Sequence, residues 1–243
     1  MPVNITVVIP AFNEEAYLAA TLDSLEAARA RLRSHTDARI ETVVVDNNST
    51  DATASIAQRM GAKVIHEPAQ GISRARNSGA RHAEGDVLVF IDADVTVPPT
   101  ILEEIYAAMS DPACVGGGVD VRYKPKRILI RLHLRAWTLF SRLFGMVQGA
   151  AQFCRKDAFQ QVGGYDEMAW IGEDVDFYWA LRKLARERNG SVRLIRNPPV
   201  EPSNRRFDQW PVWKTLIWTN PLFIALLRRR KGVWGGWYSR PVR

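Results

Sequence analysis

The run Val87-Leu88-Val89-Phe90-Ile91 passes directly into Asp92-Ala93-Asp94. Five apolar residues, mostly β-branched or aromatic, are too few for a buried helix and predict a strand covered on both faces, as at the centre of a parallel sheet. In open parallel sheets ligands bind in the crevice outside the carboxyl ends of the strands, which puts Asp92 and Asp94 at the mouth of a cleft. Two carboxylates one residue apart supply the oxygen ligands that hard cations such as Mg²⁺ or Mn²⁺ prefer, and a diphosphate would complete the coordination shell. Such a pair also serves as a turn or helix cap, and it is the apolar strand before it that favours the metal.

Upstream, two more strands end in the same manner. Ile5 to Ile9 runs into Pro10-Ala11-Phe12-Asn13-Glu14, and Glu41 to Val45 runs into Asp46, with Asn48 and Asp51 just beyond. Each is followed by a helical pattern. Asn13 is expected to cap a helix with Leu18, Leu22 and Leu25 on one face, and Ser49 or Thr50 a helix over Ala52 to Met60. With a short strand at Lys63 to His66 and a helix from Ile72 to Ala83, the alternation predicts an α/β fold: a mostly parallel sheet flanked by helices, its acidic strand ends gathered around one cleft.

Downstream, Pro98-Pro99 opens a helix over Ile101 to Met109, and Gly116-Gly117-Gly118 is expected to break an extended segment. Lys126 to Val147 reads as an amphipathic helix in which Ile128, Leu132, Leu139 and Leu143 alternate with Arg127, Arg131, Arg135 and Arg142. It suits a membrane or partner surface, or packing on the core. A glycine-rich loop, Gly163-Gly164-Tyr165-Asp166-Glu167, then leads to Glu173-Asp174 at a helix start. A carboxylate there can take a proton from an acceptor hydroxyl or serve as a favourable first-turn charge. Similarly, Arg74, Arg76 and Asn77 near the start of the Ile72 helix suit a phosphate, unless the arginines face solvent.

At 243 residues, 47% hydrophobic and 24% charged, the chain has material for a sizeable core. No signal peptide is apparent, and Cys114 and Cys154 fit a reducing compartment better than a disulfide framework, so a cytoplasmic location is expected. The net charge of +7 is uneven: residues 1–200 carry 24 basic and 24 acidic side chains, and residues 201–243 carry 9 and 2. The neutral first part argues against nucleic-acid binding. The basic end also holds Trp210, Trp213, Trp218, Trp234 and Trp237, which suits peripheral contact with the inner face of a membrane or packing on the core. Its apolar runs fall short of the roughly 18 residues a spanning helix needs. We therefore expect a catalytic domain over residues 1–200 and a basic, Trp-rich helical extension over 201–243.

Taken together, Val8-Ile9-Pro10-Ala11-Phe12-Asn13-Glu14-Glu15, Val44-Val45-Asp46-Asn47-Asn48-Ser49-Thr50-Asp51, Ala75-Arg76-Asn77-Ser78-Gly79, Asp92-Ala93-Asp94, Gly163-Gly164-Tyr165-Asp166-Glu167 and Glu173-Asp174 resemble, in order and spacing, the family 2 glycosyltransferases of GT-A fold. The resemblance spans about Val3 to Leu181. It implies an inverting transfer of a sugar from a nucleoside-diphosphate donor, with UDP the expected nucleotide, to a hydroxyl acceptor that the basic tail suggests is lipid-linked. It implies that Pro10, Ala11, Asn13 and Glu14 line the nucleotide pocket, that Asp46, beside Asn48, contacts the base, and that Arg76 and Asn77 meet the donor. Asp92 and Asp94, joined by Ala93, would hold ribose and the divalent metal, Mn²⁺ or Mg²⁺. Asp174, next to Glu173, would be the general base. Asn47 departs from relatives that carry a second Asp there. In place of the motif of processive synthases stands Ser203-Asn204-Arg205-Arg206-Phe207, whose Arg205 and Arg206 are expected over the diphosphate, and transfer of a single sugar follows. A sugar nucleotidyltransferase and a non-catalytic sugar-nucleotide-binding subunit are the alternatives. The first lacks its triphosphate loop, and intact Asp94 and Asp174 speak against the second.

Overall fold

A computed structural model describes residues 3–230, 233 and 234. In chain order the elements are β1 (Ile5–Ala11), α1 (Leu18–Arg33), β2 (Ile40–Asp46), α2 (Thr53–Arg59), β3 (Lys63–His66), α3 (Ile72–His82), β4 (Val87–Ile91), β5 (Val95–Thr96), α4 (Ile101–Ser110) and β6 (Cys114–Val121). Then follow α5 (Ile128–Leu143), β7 (Ala151–Arg155), α6 (Lys156–Val162), α7 (Glu173–Glu187), β8 (Ser191–Pro202), α8 (Arg205–Gln209), α9 (Val212–Trp218) and α10 (Pro221–Leu227).

One sheet with strand order β3-β2-β1-β4-β7-β6-β8-β5 organises the molecule. β1, β2, β3 and β4 pair in parallel, β7 runs antiparallel between β4 and β6, and β8 returns parallel to β6. The central strand behaves as its composition requires. Val87, Val89 and Ile91 enter a core built with Leu18, Leu22 and Leu25 of α1 and Ile101, Leu102 and Ile105 of α4. Leu88 and Phe90 point the other way, into a core with Ala75 of α3 and Phe177 and Leu181 of α7. There Phe90 meets Phe159, Tyr165 and Phe177 at ring-centroid separations of 5.5, 5.1 and 6.2 Å. Burying both faces of one strand is what a continuous apolar run specifies. It also fixes where the chain emerges, at Asp92.

Three local expectations are corrected. Asn13 does not cap a helix: its backbone is left-handed (φ 54°), its Oδ1 accepts from Thr50 N at 2.8 Å, and α1 begins only at Leu18. The helix after β2 begins at Thr53, and it is Asp51, not Ser49 or Thr50, whose Oδ1 accepts from Thr53 N at 2.9 Å. Nor do the three glycines interrupt β6, which runs through them. A Cβ on Gly117 would sit 1.8 Å from Arg193 O, so the absence of a side chain is what lets β6 and β8 lie together.

Candidate active site

The carboxyl ends of β1 and β2 are level, with Ala11 opposite Asp46, and β4 opens beside them at Asp92. Past these ends lies a cavity of about 550 Å³. Asp92, Ala93 and Asp94 line it, as do Pro10, Ala11 and Glu14 from the β1 loop and Glu173 and Asp174 from the start of α7. Residues far apart in sequence thus converge because β4 and β1 enter both cores and α7 packs in the one that holds Phe90.

The floor is organised by Arg76 of α3. Its side chain is 2% exposed, Nη1 donates to Glu173 Oε1 and Nη2 to Asp92 Oδ1, both at 2.8 Å, and the guanidinium lies 5.0 Å from the Tyr165 ring centroid. A buried cation requires such partners, since an unpaired charge in the interior is strongly unfavourable. Glu173 is buried against this arginine, whereas Asp174 stays half-buried and faces the cavity. Asp174 accepts from Gly149 N at 2.5 Å through Oδ2 and from Val175 N at 2.8 Å through Oδ1. A Cβ on Gly149 would lie 2.8 Å from Asp174 Cβ and 3.1 Å from Arg76 Nη2, so the closeness of these two groups depends on glycine. Gln152, one strand over, donates to Asp174 O and accepts from Tyr165 Oη, both at 2.9 Å. Burial raises the pKa of Asp174, and Arg76 offsets part of that rise; Glu173 and Asp92 are raised by burial too.

The roof is organised by Arg205 of α8. It forms a two-pronged pair with Glu14, Nη1 donating to Oε2 at 2.7 Å and Nη2 to Oε1, and its Nη2 lies 3.3 Å from Asp94 Oδ2. Ser203 binds the same aspartate twice, through Oγ to Oδ2 at 2.6 Å and through N to the backbone oxygen at 2.8 Å. Burial raises the pKa of Glu14 despite Arg205. Arg205 Nε is buried with no hydrogen-bond partner among the described residues, and its guanidinium lies 4.6 Å from the Tyr17 ring centroid. Tyr123, packed on Phe207 at 5.0 Å, closes the side of the cavity below Arg206.

Of the residues read from sequence, Pro10, Ala11, Glu14, Arg76, Asp92, Ala93, Asp94, Glu173, Asp174, Arg205 and Arg206 line one cavity. Asn13, Asp46, Asn48 and Asn77 do not. Asn13 ties the β1 loop to the β2 loop, and Asp46, buried, accepts from Ser49 N at 3.0 Å and lies 3.3 Å from His66 Nδ1. Asn48 is exposed in a left-handed turn (φ 66°). Asn77 holds the glycine-rich loop, donating to Tyr165 O and accepting from Tyr165 N, both at 2.9 Å. Asn47, the departure from the family pattern, lines the cavity and spans a gap: Nδ2 donates to Glu67 O (3.0 Å) and Ala69 O (2.8 Å), and Oδ1 accepts from Gly71 N (2.8 Å). A carboxylate cannot donate either bond.

Among the described residues no group of three or more His, Cys, Asp or Glu side chains would hold a metal unaided. Asp94 and Asp92 offer oxygen only, and one or two carboxylates completed by phosphate oxygens is the usual Mg²⁺ arrangement. The donor set therefore fits a divalent cation that arrives with a diphosphate.

Comparison with known families matches residues 6–161 to glycosyl transferase family 2. The chain belongs to that family. Among curated relatives, this family 2 glycosyltransferase is 30% identical over 209 residues to a pre-mycofactocin glycosyltransferase of Mycobacterium tuberculosis, a match covering 79% of this chain and 42% of the relative. The chain thus spans less than half the length of that relative. Its fold is that of solved glycosyltransferases. Glucosyl-3-phosphoglycerate synthase from Mycobacterium tuberculosis, in complex with Mn²⁺ and UDP-glucose, superposes with a TM-score of 0.63 at 21% identity, covering 93% of this chain and 79% of that one. A mannosyltransferase from Pyrobaculum calidifontis, in complex with GDP-mannose and Mn²⁺, gives 0.60 at 21% identity, covering 83% and 57%.

Proposed function

We propose that this family 2 glycosyltransferase moves a single sugar from a UDP-sugar to a hydroxyl acceptor with inversion at the anomeric carbon. The observation that carries this reading is one cavity lined by Asp92-Ala93-Asp94, by Glu173-Asp174 and by Arg205 and Arg206, with Arg205 against Asp94. The diphosphate lies against Asp94 and the two arginines, and the ribose against Asp92. A divalent cation held there by Asp94 and Asp92 supplies Lewis-acid neutralisation of the leaving diphosphate. Asp174 takes the proton of the acceptor hydroxyl. The freed oxygen bonds to the anomeric carbon as the bond from that carbon to the diphosphate breaks, its electron pair leaving with the diphosphate. A carboxylate raised by burial is the stronger base, and the two backbone N–H groups on Asp174 fix its direction. Glu173, committed to Arg76, positions rather than reacts. The remaining wall carries Leu134, Trp137, Phe140, Trp218 and Ile224, which suits a hydroxyl borne on an apolar, lipid-linked acceptor.

Calorimetric titration with UDP and with GDP, each with Mn²⁺ present and chelated, tests the donor half. Metal-dependent binding of UDP alone is expected. Binding of GDP alone would overturn the uridine reading, and no binding of either would overturn glycosyl transfer from these donors. For the base, Asp174→Asn is expected to leave UDP binding intact while turnover drops by roughly 10²–10⁴-fold. Full turnover by that variant would exclude Asp174.

A further inference from the structure

Most of the large apolar side chains left exposed among the described residues sit on α5, the residue after it, α9 and α10. On α5, Ile128, Leu132, Leu139 and Leu143 are 54–76% exposed and fall on one stripe, opposite buried Ile130 and Leu134. Trp213, at 63%, and Leu216 and Ile217 extend this apolar surface on α9. The two helices are adjacent: Arg127 Nη1 donates to Trp210 O at 2.7 Å, and His133 Nε2 lies 2.8 Å from Thr219 Oγ1. No acidic residue occurs between Val121 and Ala150 or beyond Asp208, while Arg131, Arg135 and Lys214 stand around the apolar surface without an acidic partner among the described ion pairs. The inner face of α5 is the wall of the cavity, through Leu134, Trp137 and Phe140.

We propose that α5 and α9 form a docking face for an anionic lipid bilayer, which brings the acceptor to the cavity. The chemistry selects this occupant. An apolar stripe bordered by uncompensated arginine and lysine matches an interface with acyl chains below and phosphates above, and arginine stems can lie along the stripe while their heads reach the phosphates. No described helix is long and apolar enough to cross a membrane, and the proposed contact is made by helix faces. The acceptor part of the proposal rests on the glycosyl-transfer reading; the docking part does not.

The test is sedimentation of the whole chain with phosphatidylcholine vesicles, with and without about a third phosphatidylglycerol, at low and high salt. Binding to the anionic vesicles that weakens with salt is expected. The double substitution Leu132→Glu and Leu139→Glu, at positions already exposed, is expected to weaken it at least about tenfold while UDP binding stays unchanged. Absence of binding by the wild-type chain, or equal binding by the double variant, would overturn the proposal. So would light scattering that shows a wild-type dimer dispersed by the same substitutions, since a second copy would then cover the face. Vesicle binding without any UDP binding would keep the docking face and remove the acceptor from it.

Discussion

Two arginines divide the Asp92-Ala93-Asp94 turn between them, and they do so in unlike settings. Arg76 comes from α3, a helix packed on the sheet, and joins Asp92 to Glu173 in the floor. Arg205 comes from a short helix after β8 and joins Asp94 to Glu14 in the roof. The floor arginine follows Ala75 of the core that holds Phe90 and is covered by Tyr165. On the proposed assignment of the cation to Asp94, the roof arginine would share its aspartate with the metal, and its contact there would be traded when metal and diphosphate arrive. The floor is architecture, and the roof, on that assignment, is a partner that is exchanged.

The comparison is broken most easily by thermal unfolding. Replacing Arg76 by Met strands Glu173 and Asp92 without their cation, a cost of about 3–5 kcal/mol, or a fall on the order of 10 °C in Tm for a chain of this size. Arg205→Met should cost only about 1–2 kcal/mol, since Asp94 and Glu14 retain 20% and 15% exposure and can rehydrate. Its larger effect belongs in the donor KM. Equal losses of Tm would erase the distinction.

The pH dependence sharpens it. Asp174, Glu173 and Asp92 are raised above ordinary carboxylate values by burial. Between the unfolded pKa of about 4 and those raised values the folded chain binds more protons than the unfolded one, so stability declines as pH rises through that window. If Asp174 is the base, as proposed, turnover should climb over the same window, because it must be ionised to accept a proton. Arg76→Met removes the charge that restrains the Asp174 shift, so the acid limb of its kcat profile should move to higher pH. Arg205→Met should leave that limb in place. A limb that follows Arg205 instead would put the reacting carboxylate in the roof. Asn47→Asp, which removes the donors to Glu67 O and Ala69 O, touches neither arginine and should cost about 1–3 kcal/mol, read from a denaturant midpoint, with the acid limb unmoved.

What was legible in the sequence followed from local pattern. A five-residue apolar run between turns fixes a strand, its last residue fixes a strand end, and acids there fall at the cleft, which covers Asp92, Asp94 and the β1 loop. Glu173 and Asp174 were legible as a helix start. Asn13, Asp46, Asn48 and Asn77 do not line the cavity, and short polar side chains in loops and early helix turns look alike in sequence whether they meet a ligand or the neighbouring loop. Asn13, Asp46 and Asn77 spend their hydrogen bonds on Thr50, Ser49 and Tyr165. Arg76 was read as a phosphate ligand because helix-start arginines suit anions, but its partners lie 16 and 97 residues away, beyond any local signal. Gln152 and Tyr123 carry no such local signal, each placed by strand order rather than by a motif. A polar residue between the apolar Ala151 and Phe153 of β7 was the available hint of Gln152.

Because a single buried guanidinium holds Asp92 at 2.8 Å on one side and Glu173 at 2.8 Å on the other, the two ends of the cleft are not electrostatically independent. Whatever draws on the Arg76 charge at Asp92 changes how tightly Glu173 and Asp174 hold their protons, and thermodynamic reciprocity requires the converse. On the proposed assignment of Asp92 to the donor and Asp174 to the base, occupancy by the nucleotide would tune the readiness of the base, and proton uptake by the base would feed back on nucleotide affinity. One side chain would then couple loading to readiness to react.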